Sequence, residues 1–154
     1  MRRRKLTLCA EPAKLVVVEI GRRGRKHRLA PAAARAWKKM KAAAEEDGVG
    51  LQIVSAFRSF DRQVEIIRRK IASGQTIERI LRVSAPPGYS EHHSGCAVDV
   101  ATAGCDELEE VFERSPAFAW LVENASRYGY FMSFPRGNRH GYAYEPWHWL
   151  YRKE

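Results

Sequence analysis

The stretch Ser90-Glu-His-His-Ser-Gly-Cys-Ala-Val-Asp99 sets a histidine in a polar, glycine-containing loop just ahead of a carboxylate in an apolar run. Gly95 permits a sharp turn, and Cys96-Ala-Val-Asp-Val100 has the apolar, β-branched make-up of a short buried strand. Alternation along such a strand puts Cys96, Val98 and Val100 on one face and Ala97 and Asp99 on the other. A carboxylate inside an apolar strand is costly unless it is paired or holds a cation. Downstream, Glu145-Pro-Trp-His148 adds another histidine and another carboxylate. Catalytic zinc takes three protein ligands and keeps a fourth position for water. His92, Asp99 and His148 would fill the first three, with Glu145 beside them as general base. An offset of three on a regular strand points side chains to opposite faces, so Pro146 must bend the chain for Glu145 and His148 to reach one ion.

The rest of the chain supplies elements to hold these loops. Residues 15–20 have strand composition, and the basic run 21–28, with two glycines, reads as an exposed turn. Residues 31–46 form a helix, with a proline suited to its first turn and Asp47-Gly48 as its stop; Trp37, Met40 and Ala44 fall on one core-facing stripe. A strand over 51–57 precedes a helix running to about residue 73, capped by Ser59 or Asp61, with Val64, Ile67 and Ile71 as a buried stripe. A short helix over 77–81 leads into the Pro86-Pro87-Gly88 turn that presents the Ser90 loop, and residues 102–106 make an irregular connection. Ser115-Pro116 begins a helix over 117–128 that carries Phe118, Leu121, Val122 and Ala125 to the core and stops at Gly129. Residues 130–134 and 143–151 read as the last strands, joined by a basic loop over 135–141. This order predicts one α+β domain over 1–154, a small antiparallel sheet with helices packed on it, and a loosely ordered extension over 1–14.

At 154 residues and 45% hydrophobic content the chain suits a single core. A formal net charge of +9 and a pI near 9.8 favour an anionic partner, whether nucleic acid, a membrane surface or an acidic cell-wall polymer. Three cysteines, Cys9, Cys96 and Cys105, make no disulfide framework and are expected as free thiols. The opening Met-Arg-Arg-Arg-Lys is followed by Glu11, Pro12 and Lys14 before any apolar h-region develops, and no stretch approaches the roughly 18 apolar residues of a membrane span. The expectation is a soluble chain made without a secretion signal.

Together, Ser-x-His-x-x-Gly-x-Ala-x-Asp and Glu-Pro-Trp-His resemble the paired motifs of the zinc D-Ala-D-Ala carboxypeptidases of the VanY type. Ile53-Val-Ser-Ala-Phe-Arg-Ser59 is similar to that family's Val-Ser-Gly-Tyr-Arg-Ser segment, with Gln63 at the expected place. Pro87-Gly-Tyr-Ser-Glu-His92 and Gly141-Tyr-Ala-Tyr-Glu-Pro-Trp-His148 extend the likeness, which runs from about residue 29 to 151. The resemblance implies a hedgehog/D-Ala-D-Ala-peptidase-like zinc site in a cleft, with one Zn2+ per chain on His92, Asp99 and His148. It implies Glu145 and Arg58 as catalytic residues, and Arg58, Ser90 and Gln63 at the substrate. It selects His92 over its neighbour His93. His140, in the basic 135–141 loop, is assigned no ligand role, though a mobile loop near the cleft could place it over substrate. Arg58, a planar cation, suits either a substrate carboxylate or a developing oxyanion. Departures from the family pattern are His93, Cys96, Phe57, Ser133 and a shorter 135–141 loop, none of them in the ligand set.

The substrate so implied is a peptidoglycan stem peptide, cut as a D-Ala-D-Ala carboxypeptidase. A phage-type lytic endopeptidase and a cytoplasmic D,D-dipeptidase would use the same site. A catalytically dead wall- or zinc-binding module would have lost Glu145 or Arg58, and both are present. A basic nucleic-acid binder has the charge and no matching motif. The chain is expected to be a monomer without a membrane span or specific nucleic acid, made in the cytoplasm and acting there or on the wall after release.

Overall fold

A computed structural model describes residues 5–152. β1 (Val16–Ile20) and β2 (Lys26–Leu29) pair as an antiparallel hairpin closed by a 3-10 turn at Arg22–Gly24. The exposed turn expected over 21–28 is therefore half strand. His27 and Leu29 point inward and Lys26 and Arg28 outward, and the charge of the outward pair hides the period of two. α1 (Pro31–Glu46) starts on its proline and buries Ala33, Ala34, Trp37, Met40 and Ala44. Across the core, Tyr130 meets Trp37 edge-on at 6.2 Å and donates its hydroxyl to the Ala33 carbonyl at 2.9 Å.

The second sheet is antiparallel throughout, in the order β3 (Gln52–Ser55), β4 (Ala97–Ala101), β6 (His148–Tyr151) and β5 (Tyr130–Met132). All five residues of β4 are buried. Val98 and Val100 join a core cluster with Ile53, Trp149 and the buried face of α1. Asp99 lies on the opposite face by alternation. The register then makes the site: Asp99 stands opposite Ser55 of β3 and opposite His148 of β6. Directly opposed residues have Cβ atoms only about 5 Å apart.

α2 (Phe60–Ala72) is capped by Ser59, whose hydroxyl accepts the Arg62 N–H at 3.1 Å, and α3 (Ile77–Val83) packs against it. The stripe expected at Val64, Ile67 and Ile71 is not buried. Val64 and Ile67 are partly covered, Ile71 is half exposed, and the one buried residue of α2 is Gln63. The reason is that this helix packs on two-turn α3 rather than on the core, so its apolar side is thinly covered. α4 (Pro116–Asn124) buries Ala117, Trp120 and Leu121, then tightens into a 3-10 turn, Ala125–Tyr128, before Gly129. Val122, expected inside, is 57% exposed. Residues 143–147, expected as strand, are irregular, and ladder pairing begins only at His148.

Residues 5–14 are tied across the site loops, while residues 1–4 of the expected extension lie outside the described residues. Cys9 N–H donates to the Gly88 carbonyl at 2.8 Å, and the Glu11 carboxylate accepts the Phe60 N–H at 2.6 Å at the start of α2. All three cysteines are free, as expected. Gly95 turns the chain from the His92 loop into β4 with φ of 66°, and a Cβ there would lie 3.0 Å from the Ala30 nitrogen and 3.2 Å from Pro12 Cγ. Gly95→Ala should therefore destabilise the protein by about 1–3 kcal/mol, read by urea unfolding in chelator. Unchanged stability would mean that this turn relaxes without strain.

Candidate active site

The three side chains expected as ligands converge. One ligand atom each from His92, Asp99 and His148 lies within 4.8 Å of the others, and all three residues are buried. His92 comes from a 3-10 turn, Glu91–Ser94, Asp99 from mid-β4 and His148 from the first residue of β6. His92 Nε2 stands 3.2 Å from Asp99 Oδ2, and His148 Nδ1 stands 2.9 Å from Asp99 Oδ1. Pro146 makes the bend that the offset of three demands. His148 N–H returns to the Glu145 carbonyl at 3.2 Å, closing a tight turn that leaves a Glu145 oxygen 3.9 Å from His148 Nδ1.

Hydrogen bonding behind the rings decides which nitrogens are free. The Ala56 carbonyl, 2.7 Å away, accepts from His92 Nδ1, so a neutral His92 presents a bare Nε2 lone pair toward Asp99. His148 Nε2 lies 2.9 Å from Glu91 Oε2; donating there, its neutral form presents Nδ1 to the same point. Phe134 stacks on the His148 ring at 4.5 Å and holds its plane. With both rings neutral, two lone pairs and a carboxylate face one another, and either a proton on His148 Nδ1 or a cation among them relieves the repulsion. A tetrahedral zinc ion with bonds of about 2.0–2.1 Å separates its ligand atoms by roughly 3.3 Å, near the 3.2 and 2.9 Å from each ring to its own Asp99 oxygen. The donor set fits such an ion.

The electrostatics carry the same signature. Burial works against the charged form of Asp99, but His92 and His148 hold its carboxyl well below the usual range. Burial likewise opposes Glu91, and the His148 hydrogen bond keeps it low. His92 is pushed down by burial. His148 is lowered by burial, yet its bonds to Asp99 and Glu91 win and raise it to about 10. Near neutral pH the zinc-free site therefore holds a proton on each His148 nitrogen, and an incoming ion must expel the one at Nδ1. Zinc binding is expected to release about one proton, with apparent affinity rising roughly tenfold per pH unit between about pH 6.5 and 8. Calorimetry in buffers of different ionisation enthalpy reads this. A pH-independent affinity would show that no such proton is there.

The cluster opens on a cavity of about 410 Å3, lined among others by Arg58, Ser90, Glu91 and Glu145. Burial is the largest influence on Glu145; the Asp99 and Glu91 charges add to it, Arg58 and His148 pull the other way, and its pKa reaches about 7. A carboxyl that changes protonation near neutrality, beside the ligand cluster and outside it, is suited to carry a proton. Arg58 follows β3, with its guanidinium donating to Ser55 Oγ at 3.0 Å and to Gln63 Oε1 at 3.1 Å. Ser90 is buried at the cavity wall. Gln63, expected at the substrate, does not line the cavity. Its amide is spent on Arg58 and on the Ala85 carbonyl at 2.7 Å, which sets Gln63 behind Arg58 as its brace.

The two histidines set aside are accounted for. His93 is fully buried, with Nδ1 against the Arg58 carbonyl at 2.7 Å and Nε2 accepting the Gly88 N–H at 3.1 Å, so both nitrogens are engaged in joining two loops. His140 Nδ1 is engaged by the Lys5 carbonyl at 2.9 Å, and its ring packs behind Phe134 and Tyr142 of the cavity wall without lining the cavity itself. Sequence reasoning passed over Glu91. The available signal was its place next to His92, but its partner His148 is 57 residues away, and only the fold brings them together.

Residues 26–154 match the sequence model of the VanY family, described as D-alanyl-D-alanine carboxypeptidase. The chain belongs to this family. The Bacillus subtilis protein YodJ is 33% identical over 149 residues, covering 92% of this chain and 54% of YodJ. The chain thus spans about half the length of that curated relative. Among solved structures, the LdcB LD-carboxypeptidase is similar with a TM-score of 0.82 at 32% identity, over 92% of this chain and 69% of LdcB. A point mutant of the vancomycin-resistance D,D-pentapeptidase VanY, in complex with Zn(II), is similar with a TM-score of 0.69 at 29% identity, over 92% of this chain and 82% of that one. The α+β architecture expected from the sequence is thus that of VanY-type peptidases. Among the described residues, no helix is long and apolar enough to cross a membrane.

Proposed function

We propose that this chain is a zinc-dependent D-Ala-D-Ala carboxypeptidase acting on peptidoglycan stem peptides, with His92, Asp99 and His148 as metal ligands and Glu145 as general base. The observation that carries the reading is the convergence of two oriented imidazoles and a carboxylate, all buried, on a cavity that also holds Glu145 and Arg58. A zinc ion bound there would polarise a scissile carbonyl and acidify a water molecule. Ala56 and Glu91, by accepting from the far nitrogens of the two rings, keep both imidazoles aimed at that point. Glu145 takes a proton from the attacking water and returns it to the departing amine, so its carboxyl begins and ends the cycle ionised. Arg58, braced by Ser55 and Gln63, offers fixed positive charge where the carbonyl oxygen becomes an oxyanion.

Mass spectrometry after incubation of the zinc-loaded protein with pentapeptide and tetrapeptide stems, D-Ala-D-Ala and intact cross-linked wall tests the reading. Loss of one terminal D-alanine from the pentapeptide is the expected result. Internal fragments without loss of terminal D-alanine would refute it. An L,D-carboxypeptidase is the second reading, favoured by the higher TM-score to LdcB than to the VanY structure. Its mark would be trimming of the tetrapeptide with the pentapeptide left intact.

A further inference from the structure

Lys70 lines the same cavity, two helical turns beyond Gln63 on α2, with Ile66 between them on the same wall. Its ammonium donates to Ser84 Oγ at 2.6 Å, and no carboxylate pairs with it among the described residues. Two of its three N–H donors are therefore without a protein acceptor there. A half-buried ammonium without a counter-ion is costly, and a ligand bearing an anion relieves that cost. Side chains of a helix lean toward its N-terminus, which brings this ammonium back toward Arg58. The electrical surroundings agree. After burial, the Arg58 charge is the main influence lowering the Lys70 pKa, with Glu145 opposing, whereas Arg58 itself feels both Asp99 and Glu145. Arg58 is held on Ser55, the residue opposite Asp99 in the sheet, whereas Lys70 is held on Ser84 at the end of α3, so of the two cations lining this cavity Arg58 is the one tied to the ligand cluster.

A peptide cut at its last bond carries negative charge at two points. Charge develops on the scissile carbonyl oxygen, and the terminal carboxylate follows roughly 3–4 Å farther along the chain. We infer that the two cations divide the two charges: Arg58 serves the oxyanion and Lys70 holds the free C-terminal carboxylate of the departing residue, which makes Lys70 a determinant of carboxypeptidase specificity. The inference rests on the peptidase reading above and assigns the anion that Arg58 alone left open.

The test uses a blocked tripeptide ending in D-Ala-D-Ala and its C-terminal amide, with the zinc-loaded protein. Wild type should prefer the free acid. Lys70→Met should raise KM for the acid about 10- to 100-fold, the value of one charge-assisted hydrogen bond, with kcat little changed and the amide unaffected. Lys70→Arg should restore the preference. Ser84→Ala, which removes the bond to Ser84 and keeps the ammonium, should retain it, whereas a merely structural clip would make it behave as Lys70→Met does. Lys70→Gln, which can still donate to Ser84, guards against a folding defect and should follow Lys70→Met. An acid KM within about twofold of wild type in both neutral variants, or equal losses on acid and amide, overturns the assignment to Lys70 while the peptidase reading stands. Wild type that hydrolyses neither peptide overturns both.

Discussion

Glu145→Gln is expected to retain one zinc per chain and to lose turnover by a factor on the order of 10² to 10⁴. Glutamine keeps the size and shape of the side chain, so the turn through Pro146 that delivers His148 should survive. What is lost is the ability to take up and return a proton. Glu145 is suited to that task by its surroundings: burial and the carboxylates of Asp99 and Glu91 bring it to about 7, while Arg58 and His148 keep it from rising further. Paired measurement of kcat and of metal content separates chemistry from binding. Turnover near that of wild type with full zinc would transfer the base role to another group. His140 is a poor substitute, since its Nδ1 is engaged by Lys5 and its ring stands behind Phe134 and Tyr142 rather than in the cavity lining.

His148→Ala is expected to abolish both zinc binding and activity and, unlike His92→Ala, to cost the zinc-free protein heavily in folding. The difference follows from what each histidine holds. His148 lies between two carboxylates, 2.9 Å from Asp99 and 2.9 Å from Glu91; it is the main group that keeps Glu91 low, and it shares Asp99 with His92. Without it, the part-buried Glu91 loses its histidine and Asp99 keeps only His92, and removing one partner of a buried pair costs about 3–5 kcal/mol. Removing His92 leaves Asp99 still paired to His148. The sign with pH is definite. The folded pKa of His148 is raised, so the stability it supplies is present below its unfolded value of about 6.5 and is lost as pH rises through about 10. In chelator near neutral pH, denaturant unfolding should therefore rank His148→Ala below His92→Ala. Equal stabilities would mean that Glu91 and Asp99 find other partners.

Much of this site was readable from residue order, and the reasons are local. The alternation in Ala97–Ala101 places Asp99 opposite the core valines, Gly95 announces the turn before it, and Pro146 between Glu145 and His148 requires the bend that the structure contains. What escaped sequence reasoning depends on contacts between distant segments. The register that sets Asp99 against both Ser55 and His148 cannot be deduced from any of the three strands alone. Glu91 reads as a loop carboxylate until β6 brings His148 to it, and Gln63 reads as a substrate contact until Arg58 and Ala85 are seen to occupy its amide. Composition misled twice. Charge on the outward residues of β2 disguised a strand, and the isoleucines of α2 suggested a core face on a helix whose closest neighbour is α3.

The identity of the atoms around the bound ion is the most direct test of the account, because three free thiols could also attract zinc. Zinc K-edge X-ray absorption of the stoichiometrically loaded protein should show only nitrogen and oxygen neighbours at about 2.0–2.1 Å, with the outer-shell scattering of two imidazole rings, and His148→Ala should lose that spectrum. A sulfur shell at about 2.3 Å, or an imidazole signal that persists in both His92→Ala and His148→Ala, would contradict the assignment of His92, Asp99 and His148.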